Sequence, residues 1–240
     1  INSASYSPDG TRIVTASFDK TAKIWDVETG VEMLTLIGHN SPLNSAMYSP
    51  DGQFIMTASS DSTARIWDAE TGQELVALVG HEGRVCSTMC SPDGQKIVTA
   101  SYDGTAKVWN TETGHELAPL IGHEGRVERT IYSPDGQKIL TASWDGTAKV
   151  WDAKTGRNLV TLIGHDGRLW SARYSPDGRR IVTAGWDGIA KIWDAETRKT
   201  LLTLKGHGGR VYPAVFSPDG RRVFTVSWDK TAKIWDAESD

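Results

Sequence analysis

The chain has 240 residues, 38% of them hydrophobic and 23% charged, with a net charge of -4. This length is enough to bury a sizeable core, and the composition excludes an intrinsically disordered chain. A mildly acidic whole does not draw nucleic acid or an anionic membrane, and no apolar run approaches the ~18 residues of a membrane helix. No signal peptide is read at the start. The chain opens on Ile1, not Met, and is expected to be a piece of a longer one.

The elements repeat. SPDG occurs at Ser7, Ser49, Ser91, Ser133, Ser175 and Ser217, always 42 residues apart. In the repeat that starts at Val85, residues 85–90 (VCSTMC) are predicted as a strand running into the turn SPDG. Residues 95–101 (QKIVTAS) form the next strand, closed by the turn YDG. Residues 105–110 (TAKVWN) form the third, followed by the loop TETG. Residues 116–122 (ELAPLIG) form the fourth and lead into Gly-His. β-Branched and aromatic residues fill the segments, and Gly, Pro, Asp and Asn fill the breaks. No stretch offers a competing helical period. Four short antiparallel strands per repeat, each sheet needing cover on both faces, describe a propeller blade.

Cys86 and Cys90 lie four residues apart on one predicted strand, roughly 13 Å between Cα atoms. A disulfide needs less than about 7 Å, so both are expected as free thiols, which points to a cytoplasmic location.

Gly-His, then SPDG, then Ser-x-Asp, then a strand ending in Trp-Asp resembles the WD-repeat family of β-propellers, over essentially the whole chain. The resemblance implies a single all-β domain of six blades, each of four antiparallel strands. The repeats span 1–42, 43–84, 85–126, 127–168, 169–210 and 211–240. Nothing after Asp240 is equivalent to residues 31–42 of the first repeat, so the last blade is expected to lack its outermost strand.

The resemblance also implies a structural hydrogen-bond network joining the Gly-His histidine, a strand hydroxyl, the turn aspartate and the tryptophan. Its members would be His39, Asp61 and Trp67; His81, Asp103 and Trp109; His123, Asp145 and Trp151; His165, Asp187 and Trp193; and His207, Asp229 and Trp235. For the fourth repeat the hydroxyl is Thr141 or Ser143, which share a strand face. The first repeat has Asp19 and Trp25 without a Gly-His, the fifth has Gly185 in place of Ser, and Asn110 replaces the Asp after Trp109. Histidines already facing carboxylates are not read as metal ligands, and hydroxyls held in such a network are not read as nucleophiles. No catalytic residue, cofactor or metal is expected.

Antiparallel connectivity puts the Gly-His loop and the Ser-x-Asp turn at one end of each sheet. The residue before each turn aspartate is Phe18, Ser60, Tyr102, Trp144, Trp186 or Trp228. Arg84, Arg126, Arg168 and Arg210 follow the Gly-His pairs, and two residues later stand Asn44, Cys86, Glu128, Trp170 and Tyr212. These positions resemble those that the family commonly uses to contact partners. Trp, Tyr and Arg dominate binding hot spots. The arginines could instead pair with Glu82, Glu124 and Asp166, or stack on the aromatics.

The expected function is a non-enzymatic interaction scaffold or ligand-sensing module. It would bind a peptide or protein, and four arginines suit an acidic or phosphorylated one. The array is similar to those appended to bacterial signalling ATPases and kinases. A structural or engineered array with no selected ligand is the alternative, and strand exchange with another copy through the open last blade is a further partner expectation. Glu128, Arg129 and Arg173 on innermost strands form no recognisable catalytic set.

Overall fold

The computed structural model describes residues 1–238, which hold 23 β-strands and no helix. No helix is therefore long and apolar enough to cross a membrane, which says nothing of a β-barrel. The strands form six sheets, five of four strands and one of three. This is the expected propeller-blade architecture, last blade included.

The chain divides into two compact units, Ile1–Ile121 and Gly122–Asp240. In the first, one sheet runs β1 (Ser3–Tyr6), β2 (Arg12–Ala16), β3 (Thr21–Asp26) and β4 (Glu32–Ile37). The next runs β5 (Leu43–Tyr48), β6 (Phe54–Ser59), β7 (Thr63–Asp68) and β8 (Glu74–Val79). The third runs β9 (Val85–Cys90), β10 (Lys96–Ser101), β11 (Ala106–Asn110) and β12 (Glu116–Leu120). The second unit holds β13 (Val127–Tyr132) to β16 (Asn158–Leu162) through β14 (Lys138–Ser143) and β15 (Ala148–Asp152). It continues with β17 (Leu169–Tyr174), β18 (Arg180–Gly185), β19 (Ala190–Asp194) and β20 (Thr200–Leu204). Its last sheet is β21 (Val211–Phe216), β22 (Arg222–Ser227) and β23 (Ala232–Asp236). Every sheet is a meander in chain order, all pairs antiparallel.

Hydrophobic cores lie between neighbouring sheets. Val14, Ala16, Ala22, Ile24 and Leu36 on the forward face of the first sheet pack on the rear face of the second. That rear face supplies Leu43, Ala46, Tyr48, Ile55, Trp67 and Ala69. Each such Val, Leu or Ile contributes roughly 1.5–3 kcal/mol on burial. Small alanines beside large aliphatics let the two pleated surfaces interlock.

Turn chemistry fixes the meander. Gly94, the last residue of one SPDG, has φ +76°, a region that suits a residue without Cβ. The Ser-x-Asp turn also needs positive φ, supplied by Gly104, Gly146 and Gly188 but by Lys20, Ser62 and Lys230 elsewhere.

Candidate partner-binding face

The network is built from one threonine per sheet. In the second sheet, Trp67 Nε1–H donates to Thr57 Oγ1 over 2.8 Å, and Thr57 Oγ1 lies 2.8 Å from His39 Nε2. His39 Nδ1 lies 2.8 Å from Asp61 Oδ2. A neutral imidazole with its proton on Nδ1 satisfies the whole relay: indole to hydroxyl, hydroxyl to Nε2, Nδ1–H to carboxylate. The same relay joins Trp109, Thr99, His81 and Asp103, and Trp151, Thr141, His123 and Asp145. It recurs with Trp193, Thr183, His165 and Asp187, and with Trp235, Thr225, His207 and Asp229. In the first sheet Trp25 donates to Thr15.

Thr141, not Ser143, is thus the relay hydroxyl. Ser143 donates to the Gly125 carbonyl and accepts from Asp145 N–H, pinning the Gly-His loop to the turn. Gly185 forgoes that pin, while Thr183 keeps the relay. Asn110 Oδ1 accepts from Thr113 N–H and its hydroxyl, so the amide closes the turn as Asp68 does in its own sheet.

The relay sets the charge states. Burial alone would raise Asp61, but hydrogen bonds from Thr63, Asn40 N–H and His39 outweigh it and hold the carboxyl at about 2. Asp103, Asp145 and Asp187 are held below the usual carboxylate range against the same burial, chiefly by their histidines. His39 is pushed below its ordinary value by desolvation, which outweighs the pull of Asp61. These histidines spend both ring nitrogens inside the relay.

The relay fixes the turn whose preceding residue is aromatic, and in the second unit that turn builds a ladder. The Arg168 guanidinium carbon lies 4.3 Å from the Trp144 ring centre and 4.7 Å from that of Trp186. Arg210 lies 3.7 Å from Trp186 and 4.6 Å from Trp228. Arg126 covers Trp144 at 4.7 Å. Each of Arg168 and Arg210 therefore touches indoles from two successive turns, and Trp144 and Trp186 themselves meet at 5.5 Å between ring centres with their planes 48° apart, so Arg168 lies over the junction of the two rings. Tyr212 stacks on Trp228 at 5.3 Å with the planes 10° apart, and Trp170 meets Tyr212 at 4.6 Å. In the first unit Arg84 covers Tyr102 at 5.2 Å and donates to Asn44 Oδ1, while Phe18 is exposed.

Stacking thus prevails over pairing. Among the described residues, the ion pairs do not use Arg84, Arg168 or Arg210. The aromatics are also less exposed than a bare row of rings: Trp228 is 60% exposed, but Tyr102, Trp144 and Trp186 are half-buried under guanidinium groups.

Sequence reasoning missed how Asn44, Cys86, Glu128 and Trp170 reach their places. Each is the extra residue of a β-bulge: Leu43 pairs with Ser59 and Ser45 with Ala58, leaving Asn44 unpaired in the ladder. Cys86, Glu128 and Trp170 are skipped in the same way. In the last sheet the skipped residue is Pro213, and Tyr212 pairs with Val226. A bulge re-aims its side chain, and no residue type in the pattern announces it. Trp170 joins the aromatic group, whereas Cys86 and Glu128 are buried. Cys86 and Cys90 are free thiols, and burial pushes Cys90 up to about 12. Arg173 is lowered by desolvation and by neighbouring Arg129.

The family model described as "WD domain, G-beta repeat" matches residues 1–26, 30–68, 72–110, 114–152, 156–194 and 198–236. The chain belongs to this WD-repeat family, whose propellers generally serve as protein-interaction scaffolds and are typically non-enzymatic. Comparison with curated proteins gave no match. Each complete family repeat takes the outer strand of one sheet and the three inner strands of the next, so β4 falls in the same repeat as β5, β6 and β7. Within each unit, neighbouring sheets are thereby linked through a shared repeat as well as by packing.

Proposed function

We propose that the Gly-His end of the second unit binds an acidic or phosphorylated peptide segment of a partner protein, without catalysis. The observation that carries this reading is the stacking of Arg168 and Arg210 on Trp144, Trp186 and Trp228. A guanidinium stacked on an indole keeps its in-plane N–H groups as a hydrogen-bonding edge. Those donors suit carboxylate or phosphate oxygens bidentately. Holding the long side chains in place also lowers the ordering cost of binding. Trp170 and Tyr212 beside the ladder would contact the apolar residues that flank the acidic group. Arg84, Tyr102 and Phe18 give the first unit a sparser version of the same chemistry.

An array of acidic, phosphorylated and neutral peptides, probed with the wild-type chain and with Arg168→Ala/Arg210→Ala, tests the proposal. Acidic or phosphorylated peptides should be retained by the wild type and lost by the variant. Equal retention by both would remove this face from consideration. No retention of any peptide would favour a purely structural array.

A further inference from the structure

In the first unit a cavity of about 260 Å³ opens at the SPDG end, between the first and second sheets. Asp9 and Asp51 come from the SPDG turns of the two sheets, Arg12 begins β2, Tyr48 ends β5 and Glu70 stands in the loop after β7. Charge on these walls is unbalanced. Three carboxylates face one guanidinium, and Arg12 Nη1 is committed to Glu70 at 3.1 Å and to the Ala69 carbonyl. Asp51 Oδ1 accepts from the Ser49 hydroxyl and the Gln53 N–H, while its Oδ2 takes no hydrogen bond among the described residues. Asp9 takes three hydrogen bonds from Ser7 and Thr11, leaving one of a carboxylate's about four lone-pair sites.

Tyr48 adds an acceptor on the inner wall. The residue is 8% exposed, and its buried hydroxyl has no hydrogen-bond partner among the described residues. Such a group is rare and costly when left unsatisfied. Desolvation pushes the phenol up, with Arg12 opposing the rise and Asp9 adding to it. Both charged groups line the cavity, which puts the hydroxyl on its side of the ring. The phenol stays neutral and offers its oxygen to a donor.

We propose that this cavity binds a primary ammonium group on an alkyl chain, either a lysine side chain or a free diamine, with Tyr48 and the Asp9 and Asp51 carboxylates as its acceptors. An ammonium carries three N–H donors on one compact charge, which suits one phenol oxygen and two carboxylates from different sheets. A guanidinium fork prefers both oxygens of one carboxylate in its plane. Walls with excess negative charge repel phosphate and carboxylate ligands. The carboxylates do not form a metal site, since among the described residues no three His, Cys, Asp or Glu side chains are grouped to hold an ion. The Pro8 ring on the wall gives the alkyl stem an apolar surface.

Other repeats supply contrasts. Cys90 takes the place of Tyr48 in the third sheet, so the cavity lined by Asp51, Asp93 and Glu112 lacks the phenol acceptor. Tyr174 keeps an unpartnered hydroxyl in the second unit, but Lys138 and Arg179 line the nearby cavity beside Asp194 and Glu196 and cancel the negative charge.

Calorimetric titration of the whole chain with diaminobutane and with N-acetyl-lysine amide tests this, with N-acetyl-norleucine amide as the neutral control. At least one amine should saturate by about 10 mM, and the norleucine compound should not. Tighter binding of the lysine derivative assigns the site to a protein side chain, and tighter binding of diaminobutane to a free amine. Tyr48→Phe and Asp9→Asn should each weaken binding severalfold, whereas Asp93→Asn, in the adjoining cavity, should leave it unchanged. Tyr48→Phe should also hold or raise the urea midpoint, because the hydroxyl it removes has no partner. A lower midpoint in that variant overturns the proposal. So does the absence of saturable amine binding, or equal binding by Tyr48→Phe and the wild type.

Discussion

Arg210 and Trp186 form the tightest stack on the candidate face, with 3.7 Å between the guanidinium carbon and the ring centre. Arg210 also lies 4.6 Å from the Trp228 ring centre, so one arginine shields two indoles. Exposed cation–π pairs contribute about 0.5–1 kcal/mol each. Arg210→Ala should therefore lower stability only slightly, yet shift tryptophan emission to longer wavelength as both rings gain water. Emission unchanged from the wild type would mean that the stack does not persist in solution.

The relay hydroxyl is the more costly group to lose. Thr57→Val keeps the shape but strips the acceptor from Trp67 and the donor from His39, both buried. Leaving a buried polar group unsatisfied costs about 1–3 kcal/mol, and here two are affected. Urea unfolding should report a loss of roughly 2 kcal/mol or more. Thr57→Ser, which restores the hydroxyl, should recover most of it.

Acid should weaken the fold in two windows. Asp61 is held at about 2, below its unfolded value, so its contribution is present above about pH 4 and is lost as pH falls toward 2. His39 is also lowered, so the unfolded chain takes up the proton first and stability falls as pH drops below about 6.5. Both effects have the same sign. The urea midpoint should decline from neutral to mildly acidic pH and again toward strongly acidic pH. Asp61→Asn should lessen the second decline without abolishing it, because Asp103, Asp145 and Asp187 are lowered too, and a midpoint independent of pH would contradict the relay.

Among the described residues, four non-glycine ones adopt left-handed backbone: Lys20, Ser62, Arg198 and Lys230, with φ between 69° and 75°. Arg198 stands where Gly72, Gly114 and Gly156 serve in other repeats. The left-handed conformation costs a residue with Cβ roughly 1–2 kcal/mol. Arg198→Gly should raise the melting temperature by a few degrees, and Lys230→Gly likewise. A fall in either would mean that the side chain makes a contact worth more than the strain.

The blade architecture was legible because SPDG, Gly-His and Trp hold their spacing through the chain, and each motif reports a local need: a tight turn, a network member, a buried ring. The relay's members were expected from the family resemblance, which carries the histidine, aspartate and tryptophan onto their motif positions. The choice between Thr141 and Ser143 was not legible, since both share a strand face and only the histidine's position separates them. Stacking of the arginines on the aromatics was one of two readings, pairing being the other, and which indoles Arg168 meets was hidden, because they stand on turns of different sheets. The bulge at Trp170 depends on a register shift that residue type does not encode.

The central claim is that the arginines stacked on the indoles read an anionic group. A double-mutant cycle tests it most directly, pairing Arg210→Ala with removal of the phosphate or carboxylate from a retained peptide. Calorimetric titration should give a coupling above about 1 kcal/mol, the order expected of a charge-assisted hydrogen bond. A coupling indistinguishable from zero, with binding intact, would contradict the account.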